Sequence, residues 1–397
     1  MGSILNFIKL DKDIIIKNRY KNIIFGESVI SHYISSPFFS KSKGDSKNLY
    51  YIECNQGIHN FYEHDKKTKK TLLDNISDEV MDSIKNEDSK ILLTSISEAS
   101  DFDKEIHDGI EKELKRFGIP NEKLIIIDSN ILYEKNKIRF QSYSPQHFLT
   151  AFDKKLYESE SDLKYKFQEI TESDCELNLN REKHFISLIR NSNKNHRHFL
   201  ILFLYKTKII NKTLISVLRK LGFNNRDEFS HLNKYLEEFN KLVPLEIDTQ
   251  NIKNKLGFRT DNALRKEDYL KSYINLVTET EFDGNILFFT EKIVKPIISY
   301  QPFIVLSNPY YLKELKSMGF KTFSNIIDES YDEEKNDSKR LQKIFDEIER
   351  ISKLSLKDMA ELYKSVLHIC IYNRKHLDKL SKQDVLLKTF KQIEYGW

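Results

Sequence analysis

The chain has few of the residues that punctuate or cross-link small folds. Its 397 residues include three cysteines, seven prolines, eleven glycines and one tryptophan. Cys54, Cys175 and Cys370 make no CxxC and no paired spacing, so neither a disulfide framework nor a structural zinc site is indicated, and a reducing compartment is expected. There is no Gly-rich fingerprint, which excludes a Walker A loop and a GxGxxG dinucleotide turn. No run approaches the ~20 apolar residues of a membrane-spanning helix. The opening MGSILNFIKLDKDIIIKN has no apolar stretch long enough for a signal peptide, and Asn6 stands where a myristoylation motif needs Ser or Thr. A cytoplasmic protein is the expectation. Excess charge of one sign is missing too: 64 basic against 60 acidic residues leave +4, without the concentrated basic stripe of a nucleic-acid binder. Lysine runs such as Lys66, Lys67, Lys69 and Lys70 read as solvated surface.

What is present is enough apolar sequence for more than one core. With 397 residues and 39% hydrophobic content, two domains are the default. LYYIEC (Leu49 to Cys54), KILLTSIS (Lys90 to Ser97) and KLIIIDSN (Lys123 to Asn130) have the character of strands. Between the last two, Ile106, Ile110, Leu114 and Phe117 recur at helical spacing, with Gly118 as C-cap and Pro120 beyond it. Strand, helix, strand implies a βαβ unit and a parallel sheet. The rhythm is lost over about residues 153–181, where the chain becomes charged. A second alternation follows: KHFISLIR (Lys183 to Arg190) as strand, HRHFLILFLYKTKII opening a helix, SYINLVTET (Ser272 to Thr280), PFIVL (Pro302 to Leu306) and GFKTF (Gly319 to Phe323) as further strands. The C-terminal part is helical in pattern, with a break near Ser352 to Leu356. The fold class predicted is α/β: two facing Rossmann-like domains with a helical C-terminal segment. The limits are 1–160 for an acceptor-side domain, 161–181 for a linker, 182–375 for a nucleotide-binding domain and 376–397 for a terminal helix or tail.

In such sheets ligands sit outside the carboxyl ends of the strands. Arg190 ends one strand, and His196 and Arg197 open the next helix, a setting where backbone N–H groups, the helix dipole and bidentate guanidinium donors suit a phosphate. Two surface arginines beside a loop fit the same pattern. After the strand ending at Glu279, Thr290 is a good N-cap and Glu291 sits beside the positive end of the helix dipole. Capping explains Thr290 and Glu291. It does not explain Lys292 and Lys295, cations that oppose the dipole unless an anion is bound.

These motifs resemble glycosyltransferases of the fucosyltransferase-like group, which have the GT-B fold. The elements that carry the likeness are VTET, FFTEK and QPFIVLSNP, with a looser match in FISLIRNSNKNHRHFLILFLYK, over about Lys183 to Asp332. The resemblance implies a nucleoside-diphosphate-sugar donor, with Glu291 at the ribose and Lys292 and Arg197 at the diphosphate. Glu279 stands where the group often has Asn, and Phe288 where some members have Tyr. An Asp-Glu-Ser-Tyr-Asp run, here Asp328 to Asp332, also recurs near the cleft of similar proteins.

The expected activity is metal-independent, inverting transfer of a sugar to the hydroxyl of a carbohydrate or other acceptor, without a cofactor beyond the donor itself. Glu98, just past a strand end, is the candidate base. Two alternatives stay open. Asp101 and Asp103 could form the DxD of a metal-dependent transferase, or the chain could be a catalytically silent binding module. Nucleic acid as acceptor is neither supported nor excluded by the weak net charge. His59, His64, His107 and His147 read as structural or surface residues.

Overall fold

Short runs of aliphatic and β-branched residues form the strands of two all-parallel sheets. The structure is a computed structural model. It describes residues 5–9, 47–53, 61–63, 70–71, 73–87, 89–95, 99, 104–132, 141–143, 169–189, 192, 194–224, 228–245 and 264–381. The chain divides into two units: Met1–His147 with Asn285–Phe288 and Asp384–Trp397, and Phe148–Gly284 with Phe289–Gln383.

In the first unit β1 (Leu5–Lys9), β2 (Lys47–Glu53), β3 (Ser89–Ser95), β4 (Leu124–Asp128) and β5 (Gln141–Tyr143) lie side by side in chain order. Helices α1 (Asp78–Asn86) and α2 (Lys104–Phe117) connect the middle strands. Alternate residues Tyr50 and Ile52, Ile91 and Leu93, and Leu124 and Ile126 share one core with Met81 and Ile84 of α1 and Ile110 and Leu114 of α2. Leu92, Ile125 and Ile127, on the opposite face, are also fully buried, as a parallel sheet requires. Helix α2 stops where its glycine predicts. Gly118 takes a φ of 67°, and the Ile119 N–H reaches back to the Leu114 carbonyl at 2.9 Å. Just before that stop, Arg116 forks onto Asp74 at 2.7 and 2.8 Å and onto Glu113 at 2.7 Å.

The second unit holds β6 (Lys183–Ile189), β7 (Thr213–Val217), β8 (Ser272–Thr278) and β9 (Phe303–Leu306) in the order β7-β6-β8-β9. Its helices are α3 (Glu172–Leu177), α4 (Asn195–Lys206), α5 (Leu236–Asn240), α6 (Lys266–Leu270), α7 (Glu291–Ile298), α8 (Tyr311–Ser317), α9 (Asp337–Ser352) and α10 (Leu356–Ser381). From β6 the chain winds outward one way to β7 and the other way to β8 and β9. The order therefore reverses at the β6/β8 pair, the position where open α/β sheets leave a crevice for ligands. Arg181 braces the amino ends of the same two strands, donating to the carbonyls of Ser272 at 2.6 Å and Tyr269 at 3.2 Å while lying 3.9 Å over the Tyr363 ring.

The α/β class, the parallel sheets and the helical C-terminal segment follow the expectation from the sequence. Four details differ. Strand β7 was not anticipated, because its five residues follow α4 after a single 3₁₀ turn and carry too short a pattern. GFKTF is not a strand: the Asn373 side chain pairs with both backbone groups of Lys321, at 2.8 Å each, leaving no ladder to join. Helix α10 passes through residues 375–376 without interruption, and α3 lies within the segment taken for a linker.

Gly319 has a φ of 94°, and a Cβ there would meet the His376 ring at 2.8 Å. Gly319→Ala should cost about 1–3 kcal/mol in left-handed strain alone, read as a fall in melting midpoint. Adding His376→Ala should recover only the steric part, since the backbone strain remains.

Candidate functional site

The carboxyl end of β8 is organised by one acid. Glu279 follows the strand directly and is fully buried. Its Oε2 accepts the Thr290 hydroxyl at 2.6 Å, and its Oε1 accepts the Tyr311 hydroxyl at 2.6 Å and the Thr290 N–H at 3.3 Å. Burial raises its pKa, opposed by Lys292 and by the Thr290 and Tyr311 hydrogen bonds. Burial and the neighbouring Glu279 raise the Tyr311 phenol in turn.

The backbone carbonyl of Glu279 is held from the other side. Arg197 donates Nη2 to it at 2.7 Å and to the Thr278 carbonyl at 3.1 Å. His196 Nε2 donates to the same Glu279 carbonyl at 3.0 Å, which fixes the tautomer because a carbonyl can only accept. Both residues sit in the first turn of α4 and are buried. Burial lowers the Arg197 pKa, opposed by Glu279, Glu291 and Glu281. Burial first, and Arg197 second, push His196 down to about 3.

Thr290 caps α7 as its position predicts, its hydroxyl oxygen accepting the Lys292 N–H at 3.2 Å. Lys292, which capping left unexplained, has partners: Nζ donates to Thr280 Oγ1 at 3.2 Å, Thr290 Oγ1 at 3.2 Å and Glu291 Oε1 at 3.0 Å. The neighbouring Glu291 carboxylate thus balances the Lys292 charge directly, and the buried Glu279 adds a longer-range electrostatic contribution. Burial pushes Glu291 up, but Lys292 and Lys295 outweigh it and hold this carboxyl below its ordinary range. Lys295 is partly exposed one turn along the same helix.

Two helix N-termini therefore meet the switch point, and they differ. Helix α7 is closed by its own Thr290 and Glu291. Helix α4 begins at Lys194 with no side-chain cap and no acid in its first turn. Lys194 instead crosses to the β8–α7 loop, pairing with Glu281 at 2.9 Å. That loop is also stacked in place: Phe282 lies between the His196 ring, at 5.1 Å and 16°, and the Arg340 guanidinium, at 4.3 Å. Arg340, itself buried, donates to the carbonyls of Phe282 and, at 3.0 Å, Ser307.

Of the residues singled out from the sequence, the structure brings Arg197, Glu279, Thr290, Glu291 and Lys292 together. Arg190, Glu98, Asp101 and Asp103 lie outside the described residues, as do His59, His64 and His147. Among the described residues, no group of three or more His, Cys, Asp or Glu is placed to hold a metal ion, and no helix is long and apolar enough to cross a membrane. The Asp328–Asp332 run proves to be a brace. Asp332 accepts the N–H groups of Leu312 and Lys313 at 2.8 and 3.0 Å, and Glu329 accepts the Phe323 N–H at 2.6 Å. Tyr311, Phe282 and Arg340 were not found from the sequence; Tyr311 and Arg340 reach the site from helices that no local spacing relates to Glu279, and Phe282, three residues beyond Glu279, belongs to no motif.

No protein-family model and no curated protein matches the sequence. Among solved structures, the chain is similar to a UDP-forming α,α-trehalose-phosphate synthase from Burkholderia xenovorans, at 9% identity and a TM-score of 0.33, over 74% of this chain and 66% of that one. It is also similar to an E. coli trehalose-6-phosphate structure bound with UDP-2-fluoro glucose, at 10% identity and a TM-score of 0.34, over 85% and 73%. The chain spans about two thirds of the length of the first of these. Likeness at this level carries no argument about the chemistry of this chain.

The His196 environment gives a pH signature. The folded chain keeps this imidazole neutral down to about 3, while an unfolded one protonates near 6.5. Between those values the unfolded state binds more protons, so this group's contribution is lost as pH falls through the window, with a limiting slope of about 1.4 kcal/mol per pH unit. Glu279 acts with the opposite sign: its raised pKa favours the folded state at low pH, and that contribution is lost as pH rises through the folded value. The difference between the unfolding free energies of the wild type and His196→Gln should isolate the first slope. A pH-independent difference would contradict it.

Proposed function

We propose that the chain is a GT-B-type glycosyltransferase that moves a sugar from a nucleoside-diphosphate donor to an acceptor hydroxyl. The observation that carries this is the pairing at the β6/β8 switch point. An uncapped, acid-free helix N-terminus with Arg197 in its first turn lies beside the Glu291–Lys292 pair at the start of α7. An unclosed helix N-terminus favours an anion through its free N–H groups and its dipole. Glu291, about a quarter exposed, offers carboxylate oxygens to ribose hydroxyls.

In this reading the diphosphate lies at the start of α4, and Lys292 reaches it by exchanging one of its hydroxyl partners for a phosphate oxygen. Arg197 contributes mainly by charge, since its Nη2 donors are committed to β8. As the sugar–oxygen bond breaks, negative charge grows on the departing diphosphate, and prepositioned cations stabilise that state more than the bound substrate. Proton removal from the acceptor is assigned to Glu98, with inversion at the anomeric carbon. The donor chemistry asks for no metal, so a chelator should leave the rate unchanged. The fucosyltransferase-like assignment rests on the VTET, FFTEK and QPFIVLSNP motifs.

The test is a thermal-shift panel of nucleoside diphosphates, followed by calorimetry and a donor-hydrolysis assay. A ligand at ~100 times its dissociation constant should add about 2.7 kcal/mol of stability. Lys292→Ala should weaken the best ligand by about 10- to 100-fold, the range expected for a charge-assisted hydrogen bond. Glu291→Ala should cost about 10-fold, the low end of the range for a hydrogen bond to an ionised acceptor. If no nucleoside diphosphate stabilises the wild type, the proposal fails.

A further inference from the structure

We infer that Phe223 is the platform on which the base of a nucleoside diphosphate stacks. This deepens the reading above and rests on it. The second unit buries most of its described aromatic side chains, yet Phe223 is 71% exposed. A single exposed aromatic is ordinary; its mounting is what sets this one apart.

Phe223 follows β7, so in an all-parallel sheet it lies on the same edge as Glu279 and the start of α4. The chain is clamped on both sides of it by asparagine amides. Asn240 accepts the Leu221 N–H at 2.8 Å and donates to the Leu221 carbonyl at 2.9 Å. Asn233 donates to the Asn224 carbonyl at 2.5 Å and accepts the Asn224 N–H at 3.4 Å. His198 of α4 meets the same Asn233 Oδ1 at 3.3 Å. Between these clamps Gly222 and Phe223 project into solvent.

The loop is also registered against the anion site. Asn224 Nδ2 donates to Asn195 Oδ1 at 2.8 Å, and Asn195 is the first residue of α4, two before Arg197. An exposed ring is thus held next to the helix start that would take the diphosphate. Aromatic faces stack with every base, so Phe223 would supply affinity without choosing the base. Holding the ring on a braced loop spares the ordering cost that binding would otherwise incur. Arg219 and Lys220, both exposed on the same loop, add positive charge along the approach.

Calorimetric titration of the full chain tests this, using the nucleoside diphosphate selected by the panel and inorganic pyrophosphate as a ligand without a base. Phe223→Ala should weaken the nucleoside diphosphate by about 5- to 150-fold, the range that ~1–3 kcal/mol of stacking implies. It should leave the pyrophosphate affinity and the melting midpoint at their wild-type values, and Phe223→Tyr should restore the nucleotide affinity. If the wild type binds the nucleotide and Phe223→Ala binds it equally well, the platform is wrong while the nucleotide site stands. If Phe223→Ala weakens pyrophosphate and nucleotide alike, Phe223 shapes the phosphate pocket and the stacking role is overturned. A wild type that binds no nucleoside diphosphate overturns both.

Discussion

A carboxyl group without water around it must be met by donors, and the second unit is arranged to meet one. Glu279 sits at the end of the central strand β8 and draws Thr290 from the start of α7 and Tyr311 from α8 onto its two oxygens. Its backbone carbonyl is gripped by Arg197 and His196 from α4. One residue thus fixes the relative placement of three helices. Removing one partner would leave a desolvated acid or an unmatched donor, which is costlier than losing a surface contact. The candidate site inherits its geometry from this point: Lys292 is oriented in part by the Thr290 hydroxyl that Glu279 holds, and Arg197 is oriented by the strand end itself.

The β8–α7 loop is secured by a second device. Phe282 is sandwiched between a neutral imidazole and a guanidinium, so it packs against two flat polar groups and still buries its ring. Arg340 reaches this loop from α9 and also holds the end of β9 through Ser307. The β8–α7 loop is therefore held by helices on both sides of it in the sequence. The first unit solves a similar problem differently: its strands run in chain order with no reversal, and its polar cluster of Asp74, Glu113 and Arg116 lies beside α2.

Much of this was legible because it is local. A run such as LIIID has one sensible use, as a buried strand, and Gly118 and Thr290 announce helix ends by chemistry that depends on only a few neighbours. The convergence of Arg197, Glu279 and the Thr-Glu-Lys block followed from the rule that parallel strands present their carboxyl ends together. The rest depended on distance along the chain. Lys292 looked uncompensated because the fold turns its ammonium back onto Glu291 and onto the hydroxyl of Thr280, 12 residues earlier across a loop whose path the sequence does not give. Asp332 looked like a site residue because nothing nearby in sequence shows that the α8 N–H groups, some 20 residues before it, need an acceptor. GFKTF carried a strand's composition, but Asn373, 52 residues away, takes the backbone pairing a strand would use.

The amide clamps around Phe223 have a chemical lifetime. Asn224, Asn233 and Asn240 each spend an Nδ2 donor on an oxygen: Asn195 Oδ1, the Asn224 carbonyl and the Leu221 carbonyl. Hydrolysis of any one of these amides converts that donor into a charged acceptor facing another acceptor. Deamidation would therefore do more than add surface charge: it would turn a hydrogen bond into a repulsion and release one anchor of the loop. Ageing of the protein would register here as a graded loosening of the loop, while the Glu279 hub, built from a carboxylate, hydroxyls and a guanidinium, contains no amide side chain to lose.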